Sequence, residues 1–367
     1  MGAETKESLA ADGDSGEGLV DLVKVAAWMD EHTPEAGSGP LTATRIPGGA
    51  TNAVFLLDRG GVKSVLRRPP RVPRPDNEKV LAREARVLGA LNGSDVPAPR
   101  FMGHCADPAV NGTSFYIMSF AEGWVALGGE SAFPPAFQQP GPEREKLAYE
   151  LVDGIIKLAN VDYKAVGLEG FGKPDNFLER QVDRWLHQLE SYRETDNYQG
   201  RDLPGLAYVS AWLKDNLVKT PRAGIIHGDY GFANAIFAYG DKAKLVAMID
   251  WELSTVGDPL LDLGWVTYGL RSRHDPPGAE RKGYFNPEYF PTREDICEYY
   301  SERAGLPIDT IVYYQVLSQY KLAILLERKW AEGQAGAKPK EFGDRFGELT
   351  LRLLRQAEAQ ARAARLG

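Results

Sequence analysis

Over residues 19–32 the apolar positions Leu19, Leu22, Val23, Ala26 and Ala27 recur at the three-and-four spacing of one helical face, and Pro34 and Gly37 follow as stop signals. This spacing predicts an amphipathic helix. The pattern then shortens: residues 41–46 and 54–57 flank a turn at Gly48 and Gly49, and Gly60-Gly61 turns the chain again before the apolar run 62–66. Three antiparallel strands are predicted from that alternation. Helical periodicity returns over 78–91, Pro97 and Pro99 break it, and 115–120 reads as a further strand.

Beyond Gly123 the texture changes. Pro134, Pro135, Pro140 and Pro142 mark an irregular insert over 125–142, and helical patterns follow at 143–160, 175–195 and 206–218. Two short apolar strands, 224–226 and 245–249, then enclose a block of closely spaced polar residues. Pro291, Thr292 and Asp295 have the form of a helix start, and helices are predicted over 293–304, 309–331 and 340–365. The expected organisation is a disordered acidic, Gly-rich tail (1–18), a small sheet-plus-helix lobe (19–119) for nucleotide binding and a mainly helical lobe (120–367) for catalysis and acceptor binding.

Composition narrows the functional classes. The 367 residues, 43% hydrophobic and 26% charged, suffice for two lobes with separate cores. A formal charge of −8 argues against nucleic acid or an anionic membrane as the main partner, because phosphate-rich surfaces demand a basic one. Cys105 and Cys297 are too few and too distant for a disulfide framework or a zinc site. The amino terminus carries acids where a secretory signal carries a basic stretch and an apolar run, and no apolar run reaches the roughly 18 residues of a membrane span, so a cytoplasmic location is expected.

The candidate chemistry lies in His227-Gly228-Asp229-Tyr230-Gly231-Phe232-Ala233-Asn234 and in Ile249-Asp250-Trp251-Glu252. Phosphoryl transfer needs a carboxylate to orient the acceptor hydroxyl and hard oxygen ligands to hold magnesium across the phosphates of ATP. Asp229, Asn234 and Asp250 supply that set. Taken singly, each is also an ordinary turn or strand-end residue; the combination, between two apolar strands, is what carries the reading.

This block resembles the catalytic loop and metal-binding aspartate of kinases, and more closely those of the aminoglycoside phosphotransferase and choline kinase-like family. The resemblance implies an α+β, bilobal protein-kinase-like fold with a small antiparallel-sheet N-lobe and a mainly helical C-lobe. It implies Asp229 as catalytic base, Asn234 and Asp250 as magnesium ligands, ATP and Mg2+ as cofactors, and His227 as an orienting group. Glu252 is left between a second metal and a backbone amide. In relatives of this family an aspartate after the metal-binding one caps a helix and hydrogen-bonds the catalytic loop from beneath; Asp262 matches it best, while Asp258 reads equally as an N-cap before Pro259.

On the nucleotide side, Arg67 stands where the kinase pattern places a phosphate-binding lysine. Glu84 falls on the apolar stripe Leu81, Leu88 and Leu91, and a carboxylate on a buried face wants a cation, so Glu84 is expected to pair with Arg67 unless it snorkels out. Gly48, Gly49, Thr51 and Asn52 form a turn whose backbone amides can approach phosphates. The strand with Met118 would hold adenine, with Met118 lining the slot or filling the core.

The longer strings Gly48-Gly49-Ala50-Thr51-Asn52, Val65-Leu66-Arg67-Arg68-Pro69-Pro70 and Asp250 to Pro259 are similar to kinase-like domains associated with acyl-CoA dehydrogenases and to hydroxyacyl-CoA kinases. That resemblance implies a hydroxyl on a CoA thioester as acceptor and a functional link to an acyl-CoA dehydrogenase. Arg67, Arg68, Arg71 and Arg74 would then receive coenzyme A phosphates, or else form a solvated loop. An aminoglycoside acceptor and a catalytically silent pseudokinase module are the alternatives. Gly231 and Ala159 depart from the arginine and histidine common in relatives, which bears on the acceptor pocket.

Overall fold

A computed structural model describes residues 16–47, 52–73, 75–127, 129–194, 198–220, 222–275 and 285–364. The fold is α+β and divides into two compact units, one made of the chain up to Gln138 with Asp162–Phe171 and Phe232–Ser254, the other of Gln139–Val161, Gly172–Gly231 and Thr255–Gly367. Two late segments thus join the first unit. None of the described helices is long and apolar enough to cross a membrane.

The first unit is built on an antiparallel sheet. Helix α1 (Leu22–His32) precedes β1 (Leu41–Ile46), β2 (Ala53–Arg59) and β3 (Val62–Arg68); α2 (Asn77–Leu91), β4 (Phe101–Cys105) and β5 (Phe115–Ser119) complete it, in the order β1-β2-β3-β5-β4. Alternation sorts the faces: Ala53, Phe55 and Leu57 of β2, with Leu66 and Ile117, bury against Val25 and Met29 of α1. The opposite face is left for α2. Strand β4 is absent from the sequence expectation because it is short, follows two prolines and slips register between Phe101 and Gly103.

The late segments are fastened to this unit by specific contacts. Strands Ala235–Phe237 and Leu245–Met248 pair with each other, Trp124 bridges to Phe237 with ring centroids 5.2 Å apart, and Met248 N donates to Pro97 O at 2.7 Å. Arg83 of α2 lies 4.2 Å over the Phe171 ring and donates to the carbonyls of Phe171 and Ser254. Of the expected tail, residues 1–15 lie outside the described residues, while Gly16 to Leu19 close a turn and Arg71 donates to Glu17 O at 2.7 Å.

The second unit is mainly helical: α3 (Pro142–Asn160), α4 (Gln181–Ser191), α5 (Leu206–Asp215), α6 (Leu260–Thr267), α7 (Arg293–Ala304), α8 (Ile311–Gln334) and α9 (Lys340–Ala363), with strands Gly224–Ile226 and Thr255–Gly257 paired antiparallel. The expected capping box starts α7: Thr292 Oγ1 accepts from Asp295 N and the Asp295 carboxylate accepts from Thr292 N. Helix α8 is the hub, packing against α4, α5, α6 and α9.

Candidate active site

Arg67 on β3 sits directly opposite Tyr116 on β5, so both side chains leave the sheet on the face that α2 covers. There they meet Glu84, fully buried between Leu81 and Leu88. Arg67 Nη2 lies 3.0 Å from Glu84 Oε1, and Tyr116 donates its hydroxyl to Oε2 at 3.1 Å. The expected pairing of Arg67 with Glu84 is therefore present, and Glu84 does not snorkel out. The same Arg67 nitrogen donates to Asp250 Oδ1 at 2.7 Å and lies 3.9 Å from Glu252 Oε2.

Three carboxylates thus surround one guanidinium. Burial raises the Glu84 carboxyl, the Arg67 guanidinium pulls against this and favours the ionised pair, and Asp250 and Glu252 add to the rise. The excess of negative charge, carried on hard oxygens of Glu84, Asp250 and Glu252 that lie within 4.8 Å of one another, is the donor chemistry that a magnesium ion accepts. These residues fit such an ion.

Asp250 lies two residues beyond the strand Leu245–Met248 and adopts a left-handed conformation, φ 66°, that non-glycine residues enter at a cost of about 1–2 kcal/mol. A short 3-10 turn, Trp251–Leu253, follows and aims Glu252 back toward Arg67. Ile249 N donates to Asn234 O at 2.9 Å, so the backbones carrying Asn234 and Asp250 are tied together just before Asp250. Asn52 is buried beside the start of β2, and Met118 is half-buried on β5 opposite Val65. Gly48, Gly49 and Thr51 lie outside the described residues, as does Arg74.

Arg68 differs from the basic-loop expectation. Its guanidinium is buried and donates to main-chain carbonyls of Leu19, Pro69 and Asn111. It is neither solvated nor open to coenzyme A phosphates, because the strand β3 that aims Arg67 toward α2 turns the next side chain to the opposite face.

In the second unit, the loop carrying Asp229 follows strand Gly224–Ile226. Gly228 has φ 84°, a conformation that favours glycine and turns the loop sharply before Asp229. Asp262, buried at the start of α6, accepts from His227 N at 2.7 Å and from Gly228 N at 2.8 Å, as the resemblance implies. Burial pushes its carboxyl up to about 6 against those two hydrogen bonds. Asp258 accepts from Leu260 N and from the Tyr314 hydroxyl, a capping role. At Gly231 a Cβ would meet nothing within 4 Å, so the missing arginine leaves open space.

One residue here escaped sequence reasoning. Lys321 of α8 is buried, donates to the carbonyl of Gly228 and faces both Asp229 and Asp262. Its signal was available: it lies four residues after Leu317 and three before Ile324, both buried, the same placement of a charge on an apolar stripe that marks Glu84.

The model of the phosphotransferase enzyme family matches residues 42–294. The chain belongs to that family. Among its relatives, acyl-CoA dehydrogenase family member 11 of Gallus gallus is 28% identical over 326 residues, covering 86% of this chain and 40% of the relative. The chain therefore spans less than half the length of that curated relative. A structure described as a putative aminoglycoside phosphotransferase from Ralstonia eutropha superposes with a TM-score of 0.77 at 28% identity, covering 94% of this chain and 99% of the other. The GDP and kanamycin complex of APH(2")-IIIa superposes at 0.58 with 16% identity, covering 92% and 99%, a likeness of fold. The kinase-like α+β fold expected from the residues is thus the fold of this family.

Proposed function

We propose that the chain is a small-molecule kinase that moves the γ-phosphoryl group of ATP to an alcohol, with a hydroxyacyl-CoA as the favoured acceptor. The observation that carries this is the Arg67–Glu84–Asp250 constellation: a guanidinium held by a buried carboxylate and presented beside an acidic, hard-oxygen group. In this reading Arg67, fixed by Glu84 and Tyr116, binds nucleotide phosphate, with Gly48, Gly49, Thr51 and Asn52 contributing from the β1–β2 turn and Met118 from the adenine side. Asn234 and Asp250 would hold magnesium, which when bound neutralises charge on the ATP phosphates.

Asp229 accepts the acceptor hydroxyl's hydrogen bond and takes its proton as the oxygen bonds to the γ-phosphorus; the β–γ bridging bond breaks and ADP departs with the electron pair. The clamp of Asp262 on the Asp229 loop supports that role by limiting reorientation. The acyl-CoA acceptor is supported by the names of the curated relatives, and their extra length suggests a dehydrogenase acting on the product. A cytoplasmic location accompanies the proposal.

The test is MgATP turnover with hydroxyacyl-CoA, kanamycin and choline as acceptors, read by mass spectrometry of the product. Phosphorylated hydroxyacyl-CoA is expected. Phosphorylated kanamycin instead would move the acceptor to aminoglycosides, and nucleotide binding without transfer to any acceptor would favour the pseudokinase module. Asp229→Ala should lower transfer by about 100-fold or more while nucleotide binding, measured by calorimetry, persists.

A further inference from the structure

The loop that carries Asp229 is gripped from two sides by groups of opposite charge. Asp262 holds its amides at residues 227 and 228, and Lys321 holds the carbonyl of residue 228, the last acceptor before Asp229. Lys321 is only 4% exposed on α8, and its ammonium lies 4.6 Å from the Trp265 ring centroid and 5.5 Å from that of Trp185. A lysine serving as scaffold alone is a costly choice in such surroundings, because desolvating an ammonium must be offset by anions close to it. The anions that face it are Asp229 and Asp262; Arg184 of α4 is the cation facing it, and Tyr268, the C-cap residue just after α6, faces Asp229.

We infer that Lys321 is a positioning residue for phosphoryl transfer, fixing the 227–229 loop through the Gly228 carbonyl and keeping the Asp229 carboxylate ionised through its charge. This rests on the reading of Asp229 as the base. The division of labour is physical: Asp262 orients the loop by accepting from the amides of His227 and Gly228, and Lys321 offsets the charge of Asp229 and Asp262. Burial pushes the Lys321 ammonium down to about 8, against the pull of Asp229 and Asp262, so the cation is present at neutral pH and fades in mildly alkaline solution.

The experiment compares the full chain with Lys321→Met, Lys321→Gln and Lys321→Arg. Gln keeps a donor for the Gly228 carbonyl without the charge, and serves where Met fails to fold. Titration of 13Cγ-labelled aspartate by NMR, with the Asp229 signal assigned by its loss in Asp229→Asn, needs no acceptor. Loss of the opposite charge that faces Asp229 should raise its pKa measurably in the Met and Gln variants, with Arg near wild type.

In MgATP turnover with a hydroxyacyl-CoA acceptor, kcat should fall about tenfold or more, KM for ATP should stay within about twofold, and the acid limb of the pH profile should move upward. Arg should restore most of kcat. An Asp229 titration unchanged by Met or Gln, or a charge-free variant with wild-type kcat and acid limb, overturns the inference. Undiminished transfer by Asp229→Asn would instead sink the base reading.

Discussion

The ion pair of Arg67 and Glu84 is stabilising only as a pair. Both side chains are withdrawn from water, with relative exposures of 9% and 0%, so removing one leaves the other charge buried without its partner. Arg67→Met should destabilise the chain by about 3–5 kcal/mol in urea denaturation, and adding Glu84→Leu should recover most of that loss. A double variant as unstable as the single would mean the cost lies in packing. Both variants should lose nucleotide-dependent activity, which separates stability from function. This pair was legible in the sequence because Glu84 interrupts an otherwise apolar helical stripe; Lys321 obeys the same rule on a longer helix and went unread there, where a 24-residue helix offers several faces and no partner close in sequence. The second carboxylate partner, Asp250, was not legible as a partner of Arg67, since 183 residues separate them.

Asp262 gives a second prediction at this scale, with a sign that can be checked. Its carboxyl is raised by burial to about 6 from 3.8, so the native state binds the proton more tightly than the unfolded chain does. Its contribution is then most favourable below about pH 4 and is lost as pH rises through about 6, amounting to about 3 kcal/mol. Asp262→Asn removes that titration. The difference in unfolding free energy between variant and wild type should therefore slope between pH 4 and 6 and be flat from 6.5 to 7.5; a flat difference throughout would show that Asp262 titrates as an ordinary carboxylate.

At the scale of elements, the position of Lys321 depends on how α8 meets α9. Gly333 and Gly343 lie at their crossing, where a Cβ on Gly343 would stand 2.8 Å from the Gly333 Cα, a distance real Cβ atoms do not adopt. The obstacle is backbone, so the helices themselves must part. Gly343→Ala should cost about 1–3 kcal/mol in thermal or urea unfolding. The equivalent change at Gly231, where a Cβ meets nothing, should be nearly neutral and serves as the control. Helices and strands of this chain were largely legible from periodicity and stop signals: α7 was read with its cap, and β1 at its full length. The strands Ala235–Phe237 and Thr255–Gly257 were not: three residues show no alternation, and neither strand stands out as a separate apolar run as Gly224–Ile226 does before the polar block.

At the scale of the whole molecule, linear order and compact units diverge, and this carries the last prediction. The sequence suggests a break near residue 119, where strand alternation gives way to prolines and long helices. The first compact unit instead extends to Gln138 and recovers Asp162–Phe171 and Phe232–Ser254 from later in the chain. Those returning segments supply Phe171 beneath Arg83, Phe237 beside Trp124, and Asp250 against Arg67. Such contacts have high sequence separation and leave no local trace, so no periodicity argument reaches them. A fragment of residues 1–138 would expose Trp124, only 7% accessible in the full chain, and would leave the Arg67–Glu84 pair without Asp250. Burying less of its apolar surface, it should unfold non-cooperatively in urea, with a shallow transition and Trp fluorescence already shifted to the red in buffer. A fragment with a steep two-state transition and a buried Trp124 signal would show that the returning segments decorate a sheet-and-helix core that stands without them.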